Sequence, residues 1–266
     1  MNETLTRALS GVLYVVVLIS ATLFHQSFLI LFGLLLLLAV HEYTNLTQLP
    51  KTIPFILSIL SYSLLAFNEL PVALNWFLLT FTLLTSLKAI LFLFEQSNEP
   101  LSKLDIQIFF WGYILVPFIL LTKIPQRPEG FIPSVMIGIY ILVWVNDTMA
   151  YVVGKSIGKN KLYERISPKK TIEGFIGGVV FAIVAGIIMA TFYFDQSAMI
   201  WSIIAFMVGV IGTIGDLIES KFKRIAGVKD SGNIMPGHGG ILDRLDSIIF
   251  VGPFVFLLYQ IINYVS

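Results

Sequence analysis

Residues 172–194 read IEGFIGGVVFAIVAGIIMATFYF, with one charged side chain, Glu173, near the start. A helix of about 20 residues rises about 30 Å, the thickness of a bilayer's hydrocarbon core. A helix apolar on every face is buried in a large core or surrounded by lipid. Composition chooses between these. The chain is 57% hydrophobic and 12% charged, whereas soluble domains carry about 25% charged residues. So little charge cannot cover a water-soluble body of 266 residues, and this chain is too apolar to be disordered. Working outward, similar apolar stretches lie near 8–24, 27–43, 53–68, 72–94, 107–123, 131–152, 198–218 and 247–265. Counting 172–194, there are nine. The first follows Arg7 and reaches His25 without a small-x-small cleavage site, so it is read as a retained span.

Charge placement orients these spans. With nine, fifteen of the seventeen Lys and Arg residues fall on one side, and only Lys123 and Arg127 on the other. Cytoplasmic loops collect basic residues. The expected fold is therefore an all-α polytopic membrane protein of about nine transmembrane helices, with its N-terminus cytoplasmic and C-terminus outside. Residues 1–130 would hold five spans, and 131–266 four spans with cytoplasmic loops 155–171 and 220–246. The formal net charge of +1 gives no global field for nucleic acid. Zero cysteines exclude a disulfide framework, thiolate metal sites and cysteine nucleophiles. In the N-terminal half, Glu42 beside His41 reads as a span-end residue snorkelling to the interface.

The informative polar residues lie between 144 and 247. Asp147, Ala150, Tyr151 and Gly154 share one helix face, where small residues admit a neighbouring helix or a ligand. In Ser167-Pro168-Lys169-Lys170-Thr171-Ile172-Glu173-Gly174, Ser167 or Thr171 suits a helix cap. The two lysines beside a helix N-terminus suit an anion. Asp216, Glu219, Ser220 and Lys223 form a polar stripe leaving the membrane, with Asp216 at a depth where an idle carboxylate is expensive. The loop from Lys229 to Ser247 contains four glycines that free backbone N–H groups to approach phosphate. Asp243 and Asp246 follow at i, i+3, placed to hold a hard divalent cation. Carboxylates, glycines and bases at one membrane surface read as nucleotide or pyrophosphate chemistry with Mg2+. An ion-coupled transporter would use Asp147 and Asp216 without needing the glycine-rich basic loop. A membrane kinase or transferase acting on a polyprenol would share carboxylates and bases.

The run Ser220 to Asp246 resembles the signature of the phosphatidate cytidylyltransferase (CDP-diacylglycerol synthase) family. It reads Ser-x-apolar-Lys-Arg, Lys-Asp-x-small, then Pro-x-His-Gly-Gly-apolar-x-Asp-Arg-apolar-Asp, with Met235 where the family more often has Leu, Ile or Phe. The motifs at Asn146–Gly154, Ser167–Gly174 and Gly215–Ser220 are similar to the family's too, so the resemblance covers the C-terminal half. It implies transfer of the cytidylyl group of CTP to phosphatidic acid, giving CDP-diacylglycerol and pyrophosphate. It further implies a multi-pass protein of the cell membrane, embedded in lipid, with its active site on the cytoplasmic side and a homodimer open to it. The cofactor would be Mg2+, with a second, monovalent cation such as K+ allowed. Cations are implied at Asp216, Asp243 and Asp246. Lys223, Arg224, Asp243, Arg244 and Asp246 form the implied catalytic set. Asp147, Ser167, Lys169, Lys170, Ser220, Lys229, Asp230, His238, Gly239 and Gly240 form the implied substrate-binding set.

Overall fold

The structure, a computed structural model, describes residues 3–96, 99–127, 130–194, 197–235, 237 and 239–265, with side chains between 9 and 262. The order is α1 Glu3–Thr22, α2 His25–Thr47, α3 Thr52–Ala66 and α4 Val72–Phe94. Then come α5 Lys103–Lys123, α6 Pro133–Ile157, α7 Ile172–Phe194 and α8 Ala198–Ile225, and finally α9 Leu242–Val265. Each apolar stretch read from the sequence coincides with one helix. Among the described residues, seven helices (α2 and α4 to α9) are long and apolar enough to cross a membrane. The apolar part of α1, Leu9–Thr22, and the whole of α3 are shorter. At 1.5 Å per residue, α3 rises about 22 Å, less than a hydrocarbon core.

Among the described residues, the expected all-α fold is interrupted by two short antiparallel hairpins: β1 Gln126–Arg127 with β2 Gly130–Phe131, and β3 Lys161–Tyr163 with β4 Ser167–Thr171. Of the two cap candidates, Thr171 is the one used; its side chain accepts from Gly174 N–H at 3.1 Å. Helices α6 and α7 touch backbone to backbone, because a Cβ at Gly174 would lie 2.6 Å from the Ala150 carbonyl oxygen. In α8 a wider π-turn, Val208–Gly212, directly precedes Thr213. The extra residue in that turn resets the face on which Asp216 emerges.

The N-terminal half is bound into this assembly. Phe222 of α8 packs among Tyr43, Phe92, Phe109 and Tyr113, with ring centroids 5.2–6.1 Å away. Lys221, one of the fifteen basic residues assigned above to the cytoplasmic side, is fully buried, and its ammonium donates to the carbonyls of Phe92 and Glu95. Arg165 donates to the Glu95 and Gln96 carbonyls, and Tyr163 to that of Leu93. Phe92 and Leu93 lie in the last turn of α4 and Glu95 and Gln96 directly follow it, so these three side chains bring donors to carbonyls at the end of the helical ladder.

Candidate active site

A cavity of about 620 Å³ lies where α1, α6, α8, α9 and β4 meet. Asp147 and Lys155 from α6, Lys169 and Lys170 from β4, Asp216 from α8, and Asp243, Arg244 and Asp246 from α9 line it. Glycine sets the approach of α8 and α9. A Cβ at Gly215 would meet Phe250 Cβ at 2.5 Å and the Asp246 carbonyl oxygen at 2.9 Å, so no larger residue lets Asp216 and Asp246 face one space. Ser247 Oγ donates to the Gly212 carbonyl at 3.1 Å and fixes this contact one turn earlier.

Lys170 Nζ lies 2.5 Å from Asp216 Oδ2, and both side chains keep about 30% of their exposure. Burial acts to lower the Lys170 pKa. The combined pull of Asp216, Asp246 and Asp147 outweighs it and holds the amine above its usual value. The lysine is thus an ammonium within a carboxylate-rich field. Ser220 Oγ donates to the other Asp216 oxygen at 3.3 Å.

The glycine-rich loop is folded on protein carboxylates. Asp243 Oδ2 accepts from Gly240 N–H (2.7 Å), Ser231 N–H (2.9 Å) and Ser231 Oγ (3.0 Å), while Oδ1 accepts from Lys223 Nζ (2.6 Å). Lys223 also pairs with Glu219 Oε2 at 2.5 Å. That contact is an ion pair, and among the described residues the buried Glu219 oxygens have no other polar partner. Glu42, read from the sequence as snorkelling to an interface, is 1% exposed. It accepts from Ser231 Oγ and from the N–H groups of Ile241 and Leu242, each at 2.8 Å. The reason for the error is physical: the start of α9 is buried and needs acceptors, which a carboxylate from α2 supplies.

The expected site residues therefore divide. Asp147, Lys169, Lys170, Asp216, Asp243, Arg244 and Asp246 come together at the cavity. Ser167 stands on β4 opposite Tyr163. Lys223 is held between two carboxylates, and the Arg224 guanidinium donates to the carbonyls of Ile166 (3.4 Å) and Val228 (3.1 Å). Lys229 and Asp230 are exposed on the loop. Gly240 serves Asp243, and Gly239 (φ +87°) takes a left-handed turn beside it; a Cβ there would lie 2.6 Å from Asp243 Oδ2. His238 lies outside the described residues. Sequence reasoning passed over Lys155, although it continues the stripe of Asp147, Ala150, Tyr151 and Gly154 at i+8.

Among the described residues, no three His, Asp or Glu side chains converge as a closed metal cage. Mg2+ does not require one, since it usually takes one or two carboxylates and fills its remaining positions with water and substrate phosphate. Asp216 and Asp246 are hard oxygen donors on facing helices and fit that role. Asp243 fits less well, because Lys223 and the N–H groups of Ser231 and Gly240 already take three of a carboxylate's roughly four acceptor positions, and the Ser231 hydroxyl shares its proton between Asp243 and Glu42.

A family model described as the cytidylyltransferase family matches residues 5–262. A protein of Staphylococcus saprophyticus named phosphatidate cytidylyltransferase is 34% identical over 272 residues, covering 96% of this chain and 99% of its own. Proteins of the same name from Staphylococcus haemolyticus and Staphylococcus aureus (strain COL) are 50% and 48% identical over 121 residues, 45% of this chain and 46% of theirs.

Proposed function

The chain belongs to the cytidylyltransferase family, and from that premise and the cavity's geometry we propose how it works as a phosphatidate cytidylyltransferase. It transfers the cytidylyl group of CTP to phosphatidic acid, yielding CDP-diacylglycerol and pyrophosphate, as a multi-pass membrane enzyme. An oxygen of the lipid phosphate attacks the α-phosphorus of CTP, and the bond from that phosphorus to the bridging β-phosphate oxygen breaks. Attacking and departing groups are both phosphates, so the protein needs no nucleophile of its own. Its task is to hold two anions together and offset their repulsion.

The observation that carries this reading is that Lys155, Lys169, Lys170 and Arg244 line one cavity together with Asp147, Asp216 and Asp246. The four basic side chains supply positive charge for the phosphates. Lys170, held by Asp216, is anchored where the charge is needed. Asp216 and Asp246 would hold Mg2+, which when bound offsets the charge on the phosphate oxygens and polarises the phosphorus. Lys223 keeps Asp243 on the loop and so steadies Arg244 beside it. Loops 155–171 and 220–246 face the cytoplasm, where CTP is found; the bias of basic residues to that side supports this orientation.

The test is direct. The purified chain with labelled CTP, phosphatidic acid in detergent micelles and Mg2+ should give labelled CDP-diacylglycerol and one pyrophosphate per turnover, while ATP gives neither. Label passing to a polyprenol in preference to phosphatidic acid would overturn the reading.

A further inference from the structure

Glu42 stands on α2, in the half of the chain that carries none of the motifs, yet its carboxylate reaches the loop that opens α9. Its three donors at 2.8 Å are Ser231 Oγ and the N–H groups of Ile241 and Leu242. The loop is shaped to admit it. A Cβ at Gly240 would lie 2.4 Å from Glu42 Oε2, and one at Gly232 would lie 2.6 Å from Oε1. Those two glycines thus make room for a protein carboxylate.

We propose that Glu42 is a positioning residue for cytidylyl transfer, setting the start of α9 and with it Arg244 and Asp246 at the cavity. This role of Glu42 rests on the function proposed above. Two links connect Glu42 to the cavity. The backbone link is short: Arg244 and Asp246 follow within about a turn of the two N–H groups that Glu42 holds. The side-chain link is Ser231, whose hydroxyl lies 2.8 Å from Glu42 Oε2 and 3.0 Å from Asp243 Oδ2. One hydroxyl has a single proton to share between the two carboxylates, so a displacement of Glu42 passes to Asp243. An anion also suits the positive end of a helix dipole. A neutral amide in its place would turn an N–H donor toward backbone N–H groups, and the first turn of α9 would have to shift. A misplacement of about 1 Å at a distance from the chemistry costs on the order of 10²-fold in rate.

Glu42→Gln, Glu42→Asp and Ser231→Ala in the full chain, purified in detergent, test this. Turnover, KM for CTP, hydrogen exchange over residues 231–245 and unfolding midpoint are measured for each. In Glu42→Gln, kcat should fall about 10- to 100-fold with KM for CTP within about threefold, well below the unfolding temperature. Exchange at Ile241 and Leu242 should quicken at least about tenfold. Glu42→Asp, too short to reach all three donors, should recover only part of the rate. Ser231→Ala should be slowed, and combined with Glu42→Gln it should add less than its separate effect. Glu42→Gln with wild-type turnover per folded molecule overturns the proposal, even if its unfolding midpoint drops. If Glu42→Gln does not fold, Ser231→Ala decides, and unchanged turnover there is equally fatal. A wild-type chain that makes no CDP-diacylglycerol would instead sink the function on which the proposal rests.

Discussion

Replacing Lys223 by Met keeps most of the aliphatic stem and removes the ammonium that joins two carboxylates. The Glu219 and Asp243 side chains retain only 2% and 7% of their exposure, at 2.5 and 2.6 Å from Lys223 Nζ. Removing one partner from a buried ion pair typically costs about 3–5 kcal/mol, because the remaining charge is left uncompensated. The two carboxylates do not share that loss equally. Asp243 keeps its donors from Ser231 and Gly240, whereas among the described residues neither buried Glu219 oxygen has another partner. Nearly all the cost should therefore sit on Glu219, and neutralising it should restore stability. Equilibrium unfolding in mixed detergent micelles should put Lys223→Met about 3–5 kcal/mol below wild type, with Lys223→Met/Glu219→Gln recovering at least about 2 kcal/mol. A single variant within about 1 kcal/mol of wild type, or a double variant no more stable than the single, would mean that Lys223 does not compensate a buried Glu219 charge.

Asp216→Asn keeps size but weakens a hard-cation donor, so half-saturation by Mg2+ should rise at least about tenfold with folding intact; an unchanged Mg2+ titration would remove Asp216 from the metal. Lys170→Met should lower turnover on the order of 10²–10³-fold, and full activity would make Lys170 a bystander. Because the folded-state pKa of Lys170 is raised above 10.5, the stability it confers is fully present below that value and is lost as pH rises through the folded pKa. The stability gap between wild type and Lys170→Met should thus stay flat from about pH 7 to 9, and a gap that closes within that window would contradict the pairing with Asp216. Asn233 is exposed on the α8–α9 loop, and the chain has no cysteine. A single Asn233→Cys should resist impermeant thiol reagents in intact cells and react once the membrane is opened; labelling from outside would reverse the orientation.

Composition and short spacing suffice for one set of this protein's properties. Long apolar runs fix helices that lie in lipid, since no other backbone conformation satisfies its own hydrogen bonds there. The stripes beginning at Asp147 and Asp216 follow from 3.6-residue periodicity, and both reach the cavity. The motif residues near the cavity were legible because each lies within a turn or two of another chemistry-bearing group. Which charge meets which depends on packing between distant segments. Lys221 and Lys223 differ by two positions in a basic run, yet one caps α4 and the other joins Glu219 to Asp243, because opposite faces of α8 meet different neighbours. The loop glycines read as a phosphate cradle, but the Gly240 N–H goes to Asp243, and the space left open at Gly232 and Gly240 goes to Glu42. Glu42 finds its partners 189 to 200 residues along the chain, a distance over which no local pattern reports. A lone carboxylate at a helix end looks the same in sequence whether lipid headgroups or a buried helix terminus lie beyond it; only packing supplies the unsatisfied N–H groups that make it indispensable.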